Sequence, residues 1–312
     1  MKAQLCLLAI LALLGPLPTR ADTATVTLRV GSSLNDSNAE GYYAQENGFF
    51  QKVGLSVEMV PFNNGAAAAA AMASGAIDIG VQPPMQIAQA VARGLPFVVI
   101  TGGALNSVRA PATWVCVSST SPIKTARDLE GKTVAINSLK SSSENLLDAW
   151  LAKSGVDKSK LRMTELSAAE MAPALERGTV DAALMLEPAF SLAMKKGSIR
   201  VLAVPTAAMS SRNEFMQTVW YTTKQFYDQN RDAISKFSSA IYMAARWANA
   251  HPRDSAVILA NLSKLEPDVV NRMTRSRYSE SLQPSDLLPE LDNGYKNGLL
   301  PRAMAPGDLL PH

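Results

Sequence analysis

The residues best placed for chemistry in this chain are hydroxyls, amides and isolated charges, not paired nucleophiles and bases. The run Ser138, Leu139, Lys140, Ser141, Ser142, Ser143 precedes a helical pattern. Hydroxyls and first-turn N–H groups in such a place can hold an anion, aided by the positive end of the helix dipole. Ser141 with Glu144 also has capping-box spacing, which stabilises a helix with no ligand at all. Lys140 adds charge to the site or is a solvated loop lysine. Two further polar stretches, Ser32-Ser33-Leu34-Asn35 and Gln82-Pro83-Pro84, end apolar strand patterns. Glu187 stands before Pro188, a residue suited to the first helical position, so helix capping alone accounts for the pair. As a ligand contact, its carboxylate favours an amine or polar N–H and disfavours a bare anion. The two histidines are His251, a helix-end residue, and the terminal His312. Cys116, in an apolar strand, reads as a small buried hydrophobe. Neither a metal site nor a catalytic triad has candidates, and no cofactor is expected.

The elements that must position these groups alternate strand and helix. The stretch 41–84 reads as a helix carrying Tyr42, Tyr43, Phe49 and Phe50, a strand 55–60, an alanine helix 66–73, and a strand 76–81. Gly75 suits a left-handed helix end. Tyr42 is either a stacking platform in a cleft or a core aromatic. A strand 25–30 comes before this unit; a helix 85–92 and a strand 97–101 follow it. After the break at Ala110-Pro111-Ala112 the strand 113–118 opens a second series. Capping boxes at Thr125/Asp128 and Ser167/Glu170, strands 133–137, 161–166, 180–186 and 199–204, and a helix 144–153 make it up.

The two series echo each other. Gly75, Ile77, Asp78, Pro83, Gly94 and Val98 recur in type and order about 103 residues later as Gly178, Val180, Asp181, Pro188, Gly197 and Val201. Asp78 and Asp181 therefore read as matched structural residues bonding to nearby backbone. Two similar α/β lobes with mainly parallel sheets are expected, joined by two connections: 24–109 with 219–312, and 110–218. Ligands of parallel α/β sheets bind beyond the carboxyl ends of the strands. Two facing lobes thus place Ser32, Ser33, Leu34, Asn35, Gln82 and Pro83 opposite Ser138, Lys140, Ser141, Ser142 and Glu187. Strand 218–223 is expected to return beside 113–118, the chain to end in helices 231–250, 254–262, 267–274 and 285–297, the last disturbed by Pro289, and the tail from Pro301 to be poorly ordered.

Residues 1–21 follow the secretory pattern of a basic Lys2, an apolar run and small residues, and are excluded from the fold as a signal peptide. Removing them takes Cys6 and leaves Cys116 alone, so burial rather than a disulfide must hold the exported chain together. A net charge of +3 without basic blocks gives no case for nucleic acid.

The segments Tyr43-Ala44-Gln45-Glu46-Asn47-Gly48-Phe49-Phe50, Ala73-Ser74-Gly75-Ala76-Ile77-Asp78-Ile79-Gly80, Asp128-Leu129-Glu130-Gly131-Lys132-Thr133-Val134 and Gly178-Thr179-Val180-Asp181-Ala182 with Glu187-Pro188 resemble the periplasmic substrate-binding proteins of ABC importers for nitrate, sulfonate and taurine. The resemblance covers nearly the whole mature chain. It implies a periplasmic, monomeric clamshell that closes on a small-molecule solute and delivers it to a membrane permease without chemical change. Relatives of this family bind pyrimidines or aromatic carboxylates, and others are pyrimidine-synthesising enzymes with a cysteine-rich motif. Here only Cys116 remains, which weakens the enzymatic alternative. A sensor in place of the permease is the third possibility.

Overall fold

The computed structural model describes residues 27–62 and 65–311; the expected signal segment 1–21 lies outside them. Thirteen strands form three sheets among the described residues. The first large sheet takes β1 (Thr27–Ser32), β2 (Ser56–Pro61), β3 (Ile79–Gln82), β4 (Phe97–Gly102) and the late strand β12 (Val219–Thr223), in the order β2-β1-β3-β12-β4. The second takes β6 (Thr113–Ser118), β7 (Thr133–Ile136), β8 (Arg162–Glu165), β9 (Ala182–Leu186) and β10 (Ile199–Ala203), in the order β8-β7-β9-β6-β10. In each sheet the first three strands are parallel and one strand runs antiparallel between the third and the last. That strand is supplied by a chain crossing: β6 follows the first series, and β12 follows the second.

At the crossings β5 (Ala104–Ser107) and β11 (Glu214–Met216) pair antiparallel, and β13 (Arg277–Tyr278) adds to β5. The two interlobe connections therefore run side by side.

The alanine helix Gly65–Ala73 connects β2 to β3, and Gly75 turns its end at φ 72°. Gly48, at φ 67°, divides the expected aromatic helix into Glu40–Glu46 and Phe49–Lys52. The matched aspartates do the same work in both sheets. Asp78 accepts the Arg29 N–H at 2.8 Å and Asp181 accepts the Thr133 N–H at 2.8 Å, while their own N–H groups bond back to the same residues.

Three expectations fail. Residues 218–223 do not lie beside 113–118 but between β3 and β4. Trp220 packs against Phe237 and the long helix Arg231–Ala250 on one face, and Tyr221 packs with Phe97 on the other. A strand buried on both faces needs a central position, and the fully buried Thr222 hydroxyl donates to the Asp78 carbonyl at 2.6 Å. Pro289 does not disturb the last long helix. It sits in the first turn of Leu288–Lys296, where its missing N–H costs no intrahelical bond. The tail after Pro301 is packed: Met304 and Leu309 are buried, and the Leu309 carbonyl accepts the Val99 N–H at 2.7 Å, covering part of the free edge of β4.

Candidate functional site

A cleft of about 700 Å³ opens where the carboxyl ends of the two sheets meet. Ser32 at the end of β1, Gln82 at the end of β3, Asn137 after β7 and Leu186 at the end of β9 all line it. The strand-end placement follows from topology, because the crossover helices pack on the sheet faces and leave only the ends open.

Nine of the eleven residues singled out from sequence line this one cleft: Ser32, Ser33, Asn35, Gln82, Pro83, Ser138, Lys140, Ser141 and Ser142. Leu34 and Glu187 line an adjoining chamber of about 280 Å³. The chamber shares Asn35, Ser37, Leu186 and Gln217 with the cleft. Its other walls include Leu259, Leu265 and Met273, so it is the more apolar arm of the cavity.

Several of these side chains are spent on building the walls. Ser32 Oγ donates to the Asn38 carbonyl at 2.7 Å, and Gln82 Nε2 donates to the Gly65 carbonyl at 2.6 Å. Ser141 Oγ donates to the Ser138 carbonyl at 2.6 Å and caps its helix by accepting the Ser143 N–H. Glu144 does not close a capping box on Ser141; its carboxylate takes the N–H of Lys140, which stands in left-handed backbone at φ 53°. Pro188 precedes the helix Ala189–Lys196 rather than opening it. Glu187 accepts from the Ser191 N–H and hydroxyl and from the Thr274 N–H at 3.0 Å. Burial raises its pKa above the ordinary carboxyl value, against those three bonds. Its bond to Thr274 ties the second sheet to the C-terminal segment. Tyr42 is buried, its hydroxyl bonding the Ser32 carbonyl from behind the wall.

Other groups are free to meet a ligand. The hydroxyls of Ser33 and Ser143 and the ammonium of Lys140 line the cleft with no partner among the described residues. Asn38 and Gln217, also in the lining, each keep a buried amide oxygen without a hydrogen-bond partner; as acceptors these add nothing to the binding of an anion. The helices Gly65–Ala73, Pro84–Ala92 and Ser142–Lys153 all begin at the cleft, so three positive dipole ends converge there. Exposed Arg93 stands at the rim. The balance favours a small solute that carries negative charge or several acceptor oxygens.

Asn38, Gln86, Gln217 and Glu290 line the cleft without having been singled out from sequence. Asn38 lies just past the Ser32–Asn35 stretch and was within reach of the strand-end rule; the other three come from helices or a crossing segment that carry no local signal. Cys116 is fully buried, and burial pushes its thiol up to about 12, as suits a small buried hydrophobe. Among the described residues no group of three His, Cys, Asp or Glu comes together to hold a metal ion.

Similarity to known proteins agrees with this architecture. The chain is 26% identical to a putative aliphatic sulfonates-binding protein of Escherichia coli strain K12 over 255 residues, 79% of this chain and 76% of that one. It is 27% identical to a putative thiamine biosynthesis protein of Haemophilus influenzae over 236 residues, covering 71% of this chain and 68% of the relative. The crystal structure of the periplasmic aliphatic sulphonate binding protein SsuA from Escherichia coli superimposes with a TM-score of 0.76 over 92% of both chains, at 22% identity, and so shares the fold. Residues 35–255 match the family described as NMT1/THI5 like, a span that holds the whole second sheet and every strand of the first but β1; the chain belongs to that family.

Proposed function

We propose that the protein is the extracytoplasmic solute-binding component of an ABC importer. It captures a small polar or anionic organic solute of the sulfonate, taurine or nitrate kind by closing two lobes, 24–109 with 219–312 and 110–218, and hands it to a membrane permease. The observation that carries the reading is the cleft itself. Free hydroxyls, the Lys140 ammonium and three helix N-termini face a cavity formed by two matched strand-end walls. The sulfonate-binding relative supports the choice of ligand class, and the secretory pattern of residues 1–21 supports an exported, periplasmic chain.

The thiamine-biosynthesis name of one relative favours a second reading, an enzyme or pyrimidine binder of the same fold. Calorimetry with a panel of alkanesulfonates, nitrate, carboxylates and pyrimidines, followed by product analysis, separates the two. Binding with the solute recovered unchanged is expected; turnover, or binding of none of the panel, sinks the proposal. Ser143→Ala removes a free hydroxyl from the anion side and weakens binding about fivefold, as for one lost hydrogen bond of about 1 kcal/mol. Saturating solute lowers the radius of gyration in small-angle scattering, since cleft contacts on both walls exist together only when the lobes are closed.

A further inference from the structure

The seam beside the cleft is bridged by a carboxyl group that has no cation. Glu290 lies on the helix Leu288–Lys296, whose neighbours Leu287 and Leu291 pack with Met85 and Tyr221 of the first lobe. The side chain is 1% exposed. Across the seam its Oε2 accepts from Asn145 Nδ2 at 3.0 Å and from Ser142 Oγ at 3.2 Å, both on the helix Ser142–Lys153 of the second lobe. Its Oε1 is buried without a hydrogen-bond partner.

None of the charged groups of the surrounding elements pairs with Glu290, the partnerless Lys140 ammonium at the cleft included. On the serine helix, Glu144 holds the Lys140 N–H, Asp148 pairs with Lys158 and Lys153 donates to the Ala207 carbonyl. Asp286, just before the seam helix, pairs with Arg212. The helices Pro84–Ala92 and Thr206–Met209 carry no titratable side chain, though exposed Arg93 follows the first. Glu214 lies on β11, and Asp292, Tyr295 and Lys296 are exposed on the seam helix itself. A buried carboxylate so placed bears the full cost of desolvation, whereas a neutral acid does not. Burial, partly offset by the bonds from Asn145 and Ser142, pushes the Glu290 pKa up to about 7. Opening the seam hydrates the group and returns it toward the ordinary value of about 4.3.

We propose that Glu290 couples solute capture to protons: the closed seam accepts it as the neutral acid, so lobe closure takes up one proton from solvent. The proton sits on Oε1, the oxygen that no donor claims. The proposal rests on the lobe-closure reading above. Because the closed-state pKa is the raised one, closure is most favoured below the ordinary carboxyl value. It weakens by about tenfold per pH unit from there to about 7, and is level above.

The test uses the full chain and ethanesulfonate, whose charge does not change in this range. Calorimetry from pH 5 to 8.5 is expected to show Kd rising about tenfold per unit up to about pH 7 and then levelling. At pH 6, buffers of different ionisation enthalpy are expected to report uptake of close to one proton per solute. Glu290→Gln keeps the bridge to Asn145 through its amide oxygen and flattens the profile; Glu290→Ala flattens it too and binds more weakly. A flat wild-type profile overturns the inference, and so does a slope that survives in Glu290→Gln, which would assign it to another seam group such as Asp148. If ethanesulfonate does not bind at any pH, the ligand class fails on its own. The inference is then decided with whichever solute of the calorimetric panel does bind, by the infrared difference between wild type and Glu290→Gln in the solute-bound protein. A protonated carboxyl band persisting there to about pH 7 supports it, and an ionised Glu290 at pH 6 in the bound state overturns it.

Discussion

The two lobes share a five-strand order and a matched aspartate, yet they hold their cleft walls in different ways. In the first lobe the wall after β1 is anchored from within: Asp36 is buried, takes the Ser276 N–H and pairs with Arg275 at 2.8 Å. Arg275 also bonds the Tyr43 hydroxyl; burial works against its charge, and the Asp36 carboxylate outweighs that and raises the pKa of the guanidinium. In the second lobe the equivalent loop after β7 is half in solvent. Two carboxylates at its edges hold it, Glu165 on the Leu139 N–H and Glu144 on the Lys140 N–H, both at 2.6 Å. The third strands diverge as well. Gln82 ends β3 as a donor to its own lobe, while Glu187, just past β9, is an acceptor that reaches the Thr274 N–H from the other. One wall is a fixed anvil and the other an adjustable face, so a duplicated framework can keep its fold while one wall is free to change its ligand chemistry.

The largest test of this contrast lies in the cores. The first lobe is built on aromatics, with Phe237 fully buried, stacked on Phe50 at 5.7 Å and edge-on to Trp220 at 5.4 Å. Phe237→Ala is expected to cost about 3–5 kcal/mol in urea unfolding. The main core of the second lobe is aliphatic, around Val115, Ile136, Leu147 and Leu184, and its aromatic pair, Trp114 stacked on Phe190 at 3.8 Å, sits in a separate cluster. Leu184→Ala is expected to cost about 2–5 kcal/mol, and a first-lobe loss no larger than the second-lobe loss would erase the contrast. Trp114 and Trp150 report on the second lobe and Trp220 and Trp247 on the first, so single-tryptophan variants tell which lobe each substitution loosens.

A finer test compares the matched aspartates. Asp78 is 10% exposed and holds the Arg29 N–H, Nε and Nη2 together. Asp181 is 35% exposed, holds the Thr133 N–H, and has Lys132 only at 3.8 Å. Asp78→Ala is expected to cost about 2–3 kcal/mol and Asp181→Ala about 1 kcal/mol in the same measurement. Equal losses would mean that the Arg29 contacts, open to solvent on the arginine side, add nothing beyond the shared backbone bond.

What was legible in the sequence follows the range over which the physics acts. The Asp78 and Asp181 echo, the capping boxes at Thr125 and Ser167 and the left-handed Gly75 are local, and their residue types are dictated by backbone geometry. The strand-end rule then brought Ser32, Gln82 and Ser138–Ser141 to one cleft without knowledge of any side-chain contact. The place of β12 was not legible, because Val219-Trp220-Tyr221-Thr222 fits any strand covered on both faces; only the packing of Trp220 on Phe237 selects one. Glu290 and Gln217 were hidden for the same reason. Each is an ordinary polar residue in its own segment, and only chain crossings bring it to the wall.

The smallest expected effect separates serines that sequence alone groups together. Ser141 spends both sides of its hydroxyl on its own loop, donating to the Ser138 carbonyl and capping through the Ser143 N–H, and it is 6% exposed. Pro83, its counterpart before the helix Pro84–Ala92, has no side-chain cap to lose. Ser141→Ala is therefore expected to cost about 1 kcal/mol of stability, the usual worth of an N-cap, and Pro83→Ala well under that. In solute binding the order reverses against Ser143, whose hydroxyl is free: Ser141→Ala should leave affinity within about twofold, since the helix dipole it faces is a property of the backbone. A larger loss of affinity in Ser141→Ala than in Ser143→Ala, at matched stability, would show that the cap orients the first-turn N–H groups that the solute reads. The adjustable wall would then owe its chemistry to backbone geometry and not to its free hydroxyls.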